Sequence, residues 1–232
     1  NSQGTVKILE CARNNNIKNF VYAASSSCYG KAKVPTSETH SIDPQYPYAL
    51  SKYQGEQSVL HWGKLYGMKV NSIRIFNAYG TRSRTSGAYG AVFGVFLKQK
   101  LAKKPLTVVG TGKQKRDFLY VTDVCKAFFS VYNSKINGEI FNLGAGNPQS
   151  INKLISLLNV KDVVKIPKRP GEPFCTWANI EKITTLTQWK PQINFEDGVN
   201  KILEDINYWK NSPLWDKKSI EKATHAWFKY LN

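Results

Sequence analysis

The chain of 232 residues is long enough to bury a substantial core, and its 41% hydrophobic and 12% aromatic content belongs to a globular protein, not a disordered one. No apolar run approaches the roughly 18 to 20 residues that span a bilayer. The opening NSQGTVKILE lacks the basic head and apolar stretch of a signal peptide, so a cytoplasmic protein with no membrane partner is expected.

The formal charge is +17, from 33 Lys and Arg against 16 Asp and Glu. These charges are dispersed, with no arginine-rich tract or recognition-helix signature, and a nucleic-acid partner is not expected. Cys11, Cys28, Cys125 and Cys175 are far apart and form no Cys-x-x-Cys pair. Neither a metal site nor a disulfide framework follows, and buried, reduced thiols are expected. The first residue is Asn1 and the one methionine is Met68, so a segment is expected to precede this chain.

In chain order, residues 4–15 place Val6, Ile8, Leu9 and Ala12 near helical spacing, and Asn14 to Asn16 can end that helix. The run from Asn19 to Ala24 is short and nearly all apolar, as in a strand buried on both faces of a parallel sheet. A loop over 33–47 leads to a second helix over 48–66, and the alternating, partly β-branched 70–76 reads as a second strand. Helix, strand, helix, strand is the rhythm of a doubly wound sheet.

Further on, 92–103 reads as helix, 106–109 as a short strand, 121–133 as helix and 139–143 as an apolar strand ending at Gly144. Ser150 suits the N-cap of a helix over 151–158. Beyond it the elements are short and rich in Lys, Trp and Pro, with helices expected over 195–209 and 219–230.

The strongest chemical signal is Tyr48 and Lys52 at the start of a helix, with a serine cluster, Ser25 to Ser27, at a strand end upstream. Tyr and Lys at i, i+4 share a helical face, so an ammonium can sit beside the phenol and favour the phenolate. The result is a base suited to a sugar hydroxyl, with a serine hydroxyl to hold the substrate oxygen. Taken alone, Tyr-x-x-x-Lys is a weak signal; the strand-end serine is what moves it toward catalysis.

Seven stretches occur in an order that carries a resemblance: Asn1-Ser-Gln-Gly-Thr5, Phe20-Val-Tyr-Ala-Ala-Ser-Ser-Ser-Cys-Tyr-Gly30, Tyr46-Pro-Tyr-Ala-Leu-Ser-Lys52, Arg74-Ile-Phe-Asn-Ala-Tyr-Gly80, Arg116-Asp-Phe-Leu-Tyr-Val-Thr-Asp123, Phe141-Asn-Leu-Gly144, and Arg169-Pro-Gly-Glu172 with Trp177-Ala-Asn179. The sequence resembles the extended short-chain dehydrogenase/reductase family, in particular the NAD-dependent sugar-nucleotide epimerases and dehydratases, and is UDP-glucose 4-epimerase-like. The resemblance covers nearly the whole chain.

That resemblance implies an α/β fold, a partial doubly wound (Rossmann-like) parallel sheet with a smaller C-terminal α/β substrate lobe. Residues 1–80, joined by 117–148, would complete a dinucleotide-binding domain; 81–116 and 149–232 would form the substrate lobe. It implies Tyr48 as base, Lys52 as its activator and nicotinamide-ribose ligand, and Ser25 as partner of the reacting hydroxyl. Phe76 would lie against NAD. Asn77, Arg116 and Arg169 would meet the substrate's diphosphate, for which bidentate guanidinium groups are suited. Glu172 would hold a nucleotide ribose hydroxyl. Thr176 stands where the family has a gate residue facing the sugar; its small size would admit an N-acetyl group unless a neighbouring loop fills the space.

In the family's 4,6-dehydratases an acidic pair follows the catalytic Ser or Thr, whereas Ser26 and Ser27 stand there in this chain. The expectation is therefore 4-epimerisation through a 4-keto sugar. Another NDP-sugar oxidoreductase of the family (2-epimerase, reductase or 4,6-dehydratase) and a non-catalytic binding protein on this fold are the alternatives. The family's Gly-x-x-Gly-x-x-Gly turn, which lets the backbone approach the cofactor pyrophosphate, does not precede Ser25. These 232 residues alone are thus expected to bind NAD poorly and to be inactive. Family dimers pair the helices matched here by 4–15 and 48–66, so a homodimer is expected by resemblance. The stripe of Val59, Trp62 and Tyr66 reads either as that surface or as an ordinary core face.

Overall fold

The computed structural model describes residues 1–83 and 92–230. Residues 84–91 and 231–232, within the segments expected to form the smaller lobe, lie outside the described residues. The first half is helix α1 (Ser2–Asn14), strand β1 (Asn19–Ser25), a 3-10 turn (Ser26–Tyr29), helix α2 (Pro47–Tyr66), and strands β2 (Lys69–Ile75) and β3 (Asn77–Tyr79). Then come α3 (Val92–Leu101), β4 (Leu106–Val109), β5 (Lys115–Arg116), β6 (Phe118–Tyr120), α4 (Val121–Asn133) and β7 (Ile140–Leu143). The remainder is β8 (Gln149–Ser150), α5 (Ile151–Leu157), β9 (Val163–Ile166), α6 (Glu181–Thr187), α7 (Phe195–Glu204), a 3-10 turn (Ile206–Asn211) and α8 (Lys217–Tyr230).

The boundaries follow local chemistry. Asn16 takes a left-handed φ of 56° just past α1, a conformation asparagine tolerates, and Gly67 does the same at 65° after α2. Pro47 opens α2, where its missing N–H costs nothing. Ser150 caps α5 by accepting the Lys153 N–H at 3.0 Å, as its sequence position implies.

Strands β1, β2 and β7 form a parallel sheet in that order, with helices on both faces. Side chains alternate between the faces because the strand period is two. Tyr22 and Ala24 of β1 and Val70 of β2 pack with Leu9 and Ala12 of α1 and Val59 of α2. Val21, Ile73, Phe141 and Leu143 point the other way, onto Val124, Ala127 and Val131 of α4. The Val59, Trp62 and Tyr66 stripe resolves accordingly: Val59 is fully buried, Trp62 donates to Glu10 of α1 at 2.7 Å, and the exposed Tyr66 ring lies under Arg13.

A third core surrounds Phe93, Phe96, Leu97, Leu106, Phe118, Phe195, Ile202 and Trp209. Here Tyr79 stacks on Phe93 at 4.6 Å and Phe118 on Phe195 at 5.2 Å, pairs worth about 0.5–1.5 kcal/mol each beyond their buried area. Strand β6 belongs to two cores at once: Phe118 and Tyr120 point into this one, while Leu119 points into the α4 core. Three buried residues in a row thus stitch the two parts together.

Two expectations are corrected. The helix expected over 195–209 ends at Glu204, where the Asp205 N–H turns to the Ile202 carbonyl and a tighter 3-10 turn carries the fully buried Trp209 into the core. The cysteines are all free, but Cys28 alone is buried, Cys11 and Cys125 are exposed and Cys175 is intermediate. Burial pushes the Cys28 thiol up to about 11.

Beneath the sheet's carboxyl edge lies a buried polar network. Arg74 of β2 pairs with Glu56 of α2 at 2.5 Å and donates to the Tyr29 hydroxyl at 2.7 Å; Tyr29 donates in turn to Asn142 of β7 at 2.7 Å. Replacing Glu56 by Leu leaves a buried guanidinium without its countercharge. Urea denaturation is expected to show a loss of about 3–5 kcal/mol, and a loss under 1 kcal/mol would mean that water reaches this pair.

Candidate active site

The parallel register sets Ser25 beside Ile75 and Ile75 beside Leu143, so Ser25, Phe76 and Gly144 stand together at the carboxyl ends of three strands. Ligands of open α/β sheets bind at that edge. The Phe76 N–H donates to Leu143 at 2.9 Å, which fixes where the chain leaves β2. The Ser25 Oγ lies 2.9 Å from the Ser27 Oγ and accepts the Ser27 N–H at 3.3 Å, so the 3-10 turn folds back on the serine that begins it.

Tyr48 stands at the first turn of α2, half exposed at 51%, with its ring stacked parallel to Tyr46 at 6.5 Å. One turn on, the Lys52 ammonium donates to the Ala23 carbonyl of β1 at 2.5 Å and lies 4.9 Å from the Tyr22 ring. Burial lowers the Lys52 pKa.

Asn77 enters the site on β3, which pairs with β6 opposite Phe118. The Thr176 Oγ1 accepts the Asp117 N–H at 3.2 Å and spends its one proton on the Asn77 Oδ1 at 2.7 Å. That bond orients the Asn77 amide, leaving its NH2 as the outward donor.

Arg116 and Glu172 were expected to meet different parts of a ligand, and the structure places them against each other at 2.6 Å. The Arg116 Nη1 also donates to the carbonyls of Lys115 at 2.8 Å and Pro173 at 3.0 Å, so the guanidinium clamps the loop that carries Glu172. The second Glu172 oxygen, Oε2, is buried without a hydrogen-bond partner. Arg169 forms no ion pair among the described residues.

Ser25, Tyr48, Phe76, Asn77, Arg116, Arg169, Glu172 and Thr176 all line one cavity of about 1200 Å³. Lys52 is not among the lining residues and is tied to β1 through the Ala23 carbonyl. Much of the apolar lining comes from α3, β4, β9 and α8, including Phe93, Phe96, Val109, Ile166 and Trp227, with Phe118 of β6 and Ile151 of α5 beside them. Sequence reasoning missed three polar or aromatic contributors: Asp117, Tyr46 and Trp227. Only Asp117 left a local trace, as a carboxylate set beside the apolar strand Phe118-Leu-Tyr120.

The model of the NAD dependent epimerase/dehydratase family matches residues 1–144, more than half of the chain. The chain belongs to that family. A putative UDP-glucose 4-epimerase of Methanocaldococcus jannaschii is 34% identical over 219 residues, covering 91% of this chain and 70% of the relative. The UDP-glucuronic acid 4-epimerase of Bacillus cereus, solved with UDP-glucuronic acid and NAD, superposes with a TM-score of 0.78 at 33% identity, over 89% of this chain and 66% of that one. The UDP-N-acetylglucosamine 4-epimerase of Methanobrevibacter ruminantium, in complex with UDP-N-acetylmuramic acid, gives 0.79 at 28% identity, over 88% and 68%. The chain thus spans about two thirds of the length of these epimerases. The fold is the Rossmann-type α/β fold of the family, and NAD is the family's cofactor.

Within this epimerase-family site the Asp117 carboxylate is the internal anchor. It is fully buried and accepts the N–H groups of Ala145 at 2.7 Å, Gly146 at 3.2 Å and Ala178 at 2.8 Å. Burial raises its pKa while those N–H groups pull it down. Asp117→Ala strands three buried or half-buried donors, and chemical denaturation is expected to register a loss of about 3 kcal/mol or more. A loss below 1 kcal/mol would show that the three segments hold together without it.

Proposed function

We propose that this chain carries the catalytic and substrate-binding part of an NAD-dependent nucleotide-sugar 4-epimerase. The observation that carries the reading is the convergence, in one cavity, of strand-end hydroxyls at one end and two arginines with a half-satisfied glutamate at the other. The first end suits a sugar carbinol, and the second a nucleoside diphosphate. The buried Glu172 Oε2 is an acceptor in search of a donor, which a ribose hydroxyl supplies. Arg169 and the Asn77 amide supply donors for the diphosphate oxygens.

Of the NAD site, the residues present fit the nicotinamide end: a cation in Lys52, a ring in Phe76 and the hydroxyls of Ser25 and Tyr48 gather at the carboxyl ends of β1 and β2. When bound, NAD supplies the chemistry of taking up a hydride from the sugar carbon and giving it back. In that setting Tyr48 removes the proton of the C4 hydroxyl and later returns it, while Ser25 holds the oxygen in place. Lys52 favours the phenolate and binds the nicotinamide ribose. The 4-keto sugar turns over between the two steps, and the anion-binding end keeps the nucleotide fixed meanwhile. Ser27 is engaged with Ser25, and it is no acid, which favours epimerisation over dehydration.

Residues 1–80 with 117–148 are the proposed cofactor side and 81–116 with 149–232 the substrate side, in a cytoplasmic homodimer. Thr176 lends its hydroxyl to Asn77 and presents little bulk to the sugar, so N-acetylated hexoses fit. The intact protein with NAD is expected to convert UDP-N-acetylglucosamine to its 4-epimer by NMR; turnover of UDP-glucose alone would overturn the roomy-pocket reading.

Tyr48→Phe is expected to lower kcat by about 10²–10⁴, the usual worth of a positioned acid-base group. Unchanged kcat would remove Tyr48 from the chemistry. Because burial lowers the Lys52 pKa, its charge is present below that folded value and lost above it. The alkaline limb of kcat is therefore expected below the ordinary lysine value of about 10.4. A profile flat through that value would contradict a charged Lys52 in catalysis.

A further inference from the structure

Helix α8 forms one wall of the cavity, yet the chemistry proposed above uses none of its residues. Asp216 and Ser219 start it with reciprocal bonds: the Ser219 N–H donates to the Asp216 carboxylate at 2.8 Å, and the Asp216 N–H donates to the Ser219 Oγ at 2.8 Å. Ile220 and Thr224 are buried and pin the helix down, while Ala226, Trp227 and Tyr230 line the cavity.

Trp227 makes two contacts that bear on the site. Its indole N–H donates to the Pro170 carbonyl at 2.7 Å, in the loop that carries Arg169 and Glu172. Its ring centroid lies 5.5 Å from that of Tyr46. Tyr46 in turn contacts one group at the reacting end directly and reaches the other through Ser27. Its ring stacks on Tyr48 at an interplanar angle of 11°, and its hydroxyl lies beside Ser27, which pulls the Tyr46 pKa down and whose Oγ is 2.9 Å from that of Ser25. Burial raises the Tyr46 pKa, with the neighbouring Ser27 side chain partly offsetting it, so the group stays a neutral hydroxyl at pH 7.

We propose that Trp227 and Tyr46 are positioning residues through which α8 links the Arg169–Glu172 loop to Ser25 and Tyr48, an inference that rests on the cavity being a nucleotide-sugar site. The hydrogen bond of Trp227 holds the loop that grips the nucleotide. The ring of Trp227 holds Tyr46, and Tyr46 sets the direction of the Tyr48 ring and of the Ser25 hydroxyl. Binding and chemistry are thus separable at the level of single contacts.

Three variants of the intact protein, assayed with NAD and titrated with UDP by calorimetry, test this. Trp227→Phe keeps a ring and loses the N–H; UDP affinity is expected to fall about fivefold with kcat within about twofold of wild type, the signature of lost uniform binding. Tyr46→Phe keeps the stack and loses the hydroxyl; kcat is expected to fall about tenfold with UDP affinity unchanged. Trp227→Ala loses both contacts, and kcat is expected to fall by roughly 10- to 100-fold, the scale of a small misplacement of reacting groups. The two conservative variants each retain an aromatic ring, so the test survives even where Trp227→Ala folds poorly.

Recovery of kcat, but not of UDP affinity, on going from Trp227→Ala to Trp227→Phe supports the split. Variants that melt earlier yet keep wild-type kcat and UDP affinity would show a purely structural helix and overturn the proposal. Wild-type protein that fails to bind UDP would sink the reading of the cavity and this inference together. Wild-type binding with unmoved variants would sink this inference alone.

Discussion

The buried carboxylate of Asp117 is the constraint on which the cavity depends. A carboxylate out of water must be met by donors, and here they come from the turn after β7 and from the loop around Ala178. Gly144 gives it room, since a Cβ there would lie 2.4 Å from the Asp117 Oδ2. Once two distant segments converge on one side chain, its neighbours are placed as well. Arg116 precedes it and reaches Glu172, and its own N–H fixes Thr176, which orients Asn77. The end of the cavity proposed to hold the diphosphate is in this sense the outer shell of one satisfied charge.

The proposed reacting end depends on different physics. There the parallel register of β1, β2 and β7 brings Ser25 and Phe76 to one edge, and the proline-started α2 delivers Tyr48 beside them. Strand β6, divided between two cores, holds the ends at a fixed separation because neither core can shift without disturbing it. On the proposed reading, contacts to the nucleotide at one end are spent on orienting the sugar at the other.

Much of this was legible in the sequence where the signal is local. Helix α2 is twenty residues long with a proline start and a glycine just past its end, β1 and β7 are largely apolar runs, and β2 alternates. Strands β3, β5, β6 and β8 have two or three residues each, too few for alternation to register, and they exist because their partners lie far along the chain. The same division holds in the site. Ser25, Tyr48 and Lys52 stand out by spacing and type, whereas the Arg116–Glu172 pair joins residues 56 apart, and the contact of Tyr46 with Trp227 joins two ends of the chain. No window of sequence contains either contact. Cys11 and Cys125 illustrate the converse error, in which the usual burial of cysteine gave way to their positions on outward helix faces.

The central claim is that one carbon of a nucleotide sugar gives up its hydrogen and receives the same hydrogen back on the other face. The most direct measurement follows UDP-N-acetylglucosamine deuterated at C4 of the sugar, incubated with the intact protein and NAD and read by NMR. The account predicts that the 4-epimer forms with its deuterium still at C4. Conversion with the label lost to solvent or moved to another carbon would contradict it.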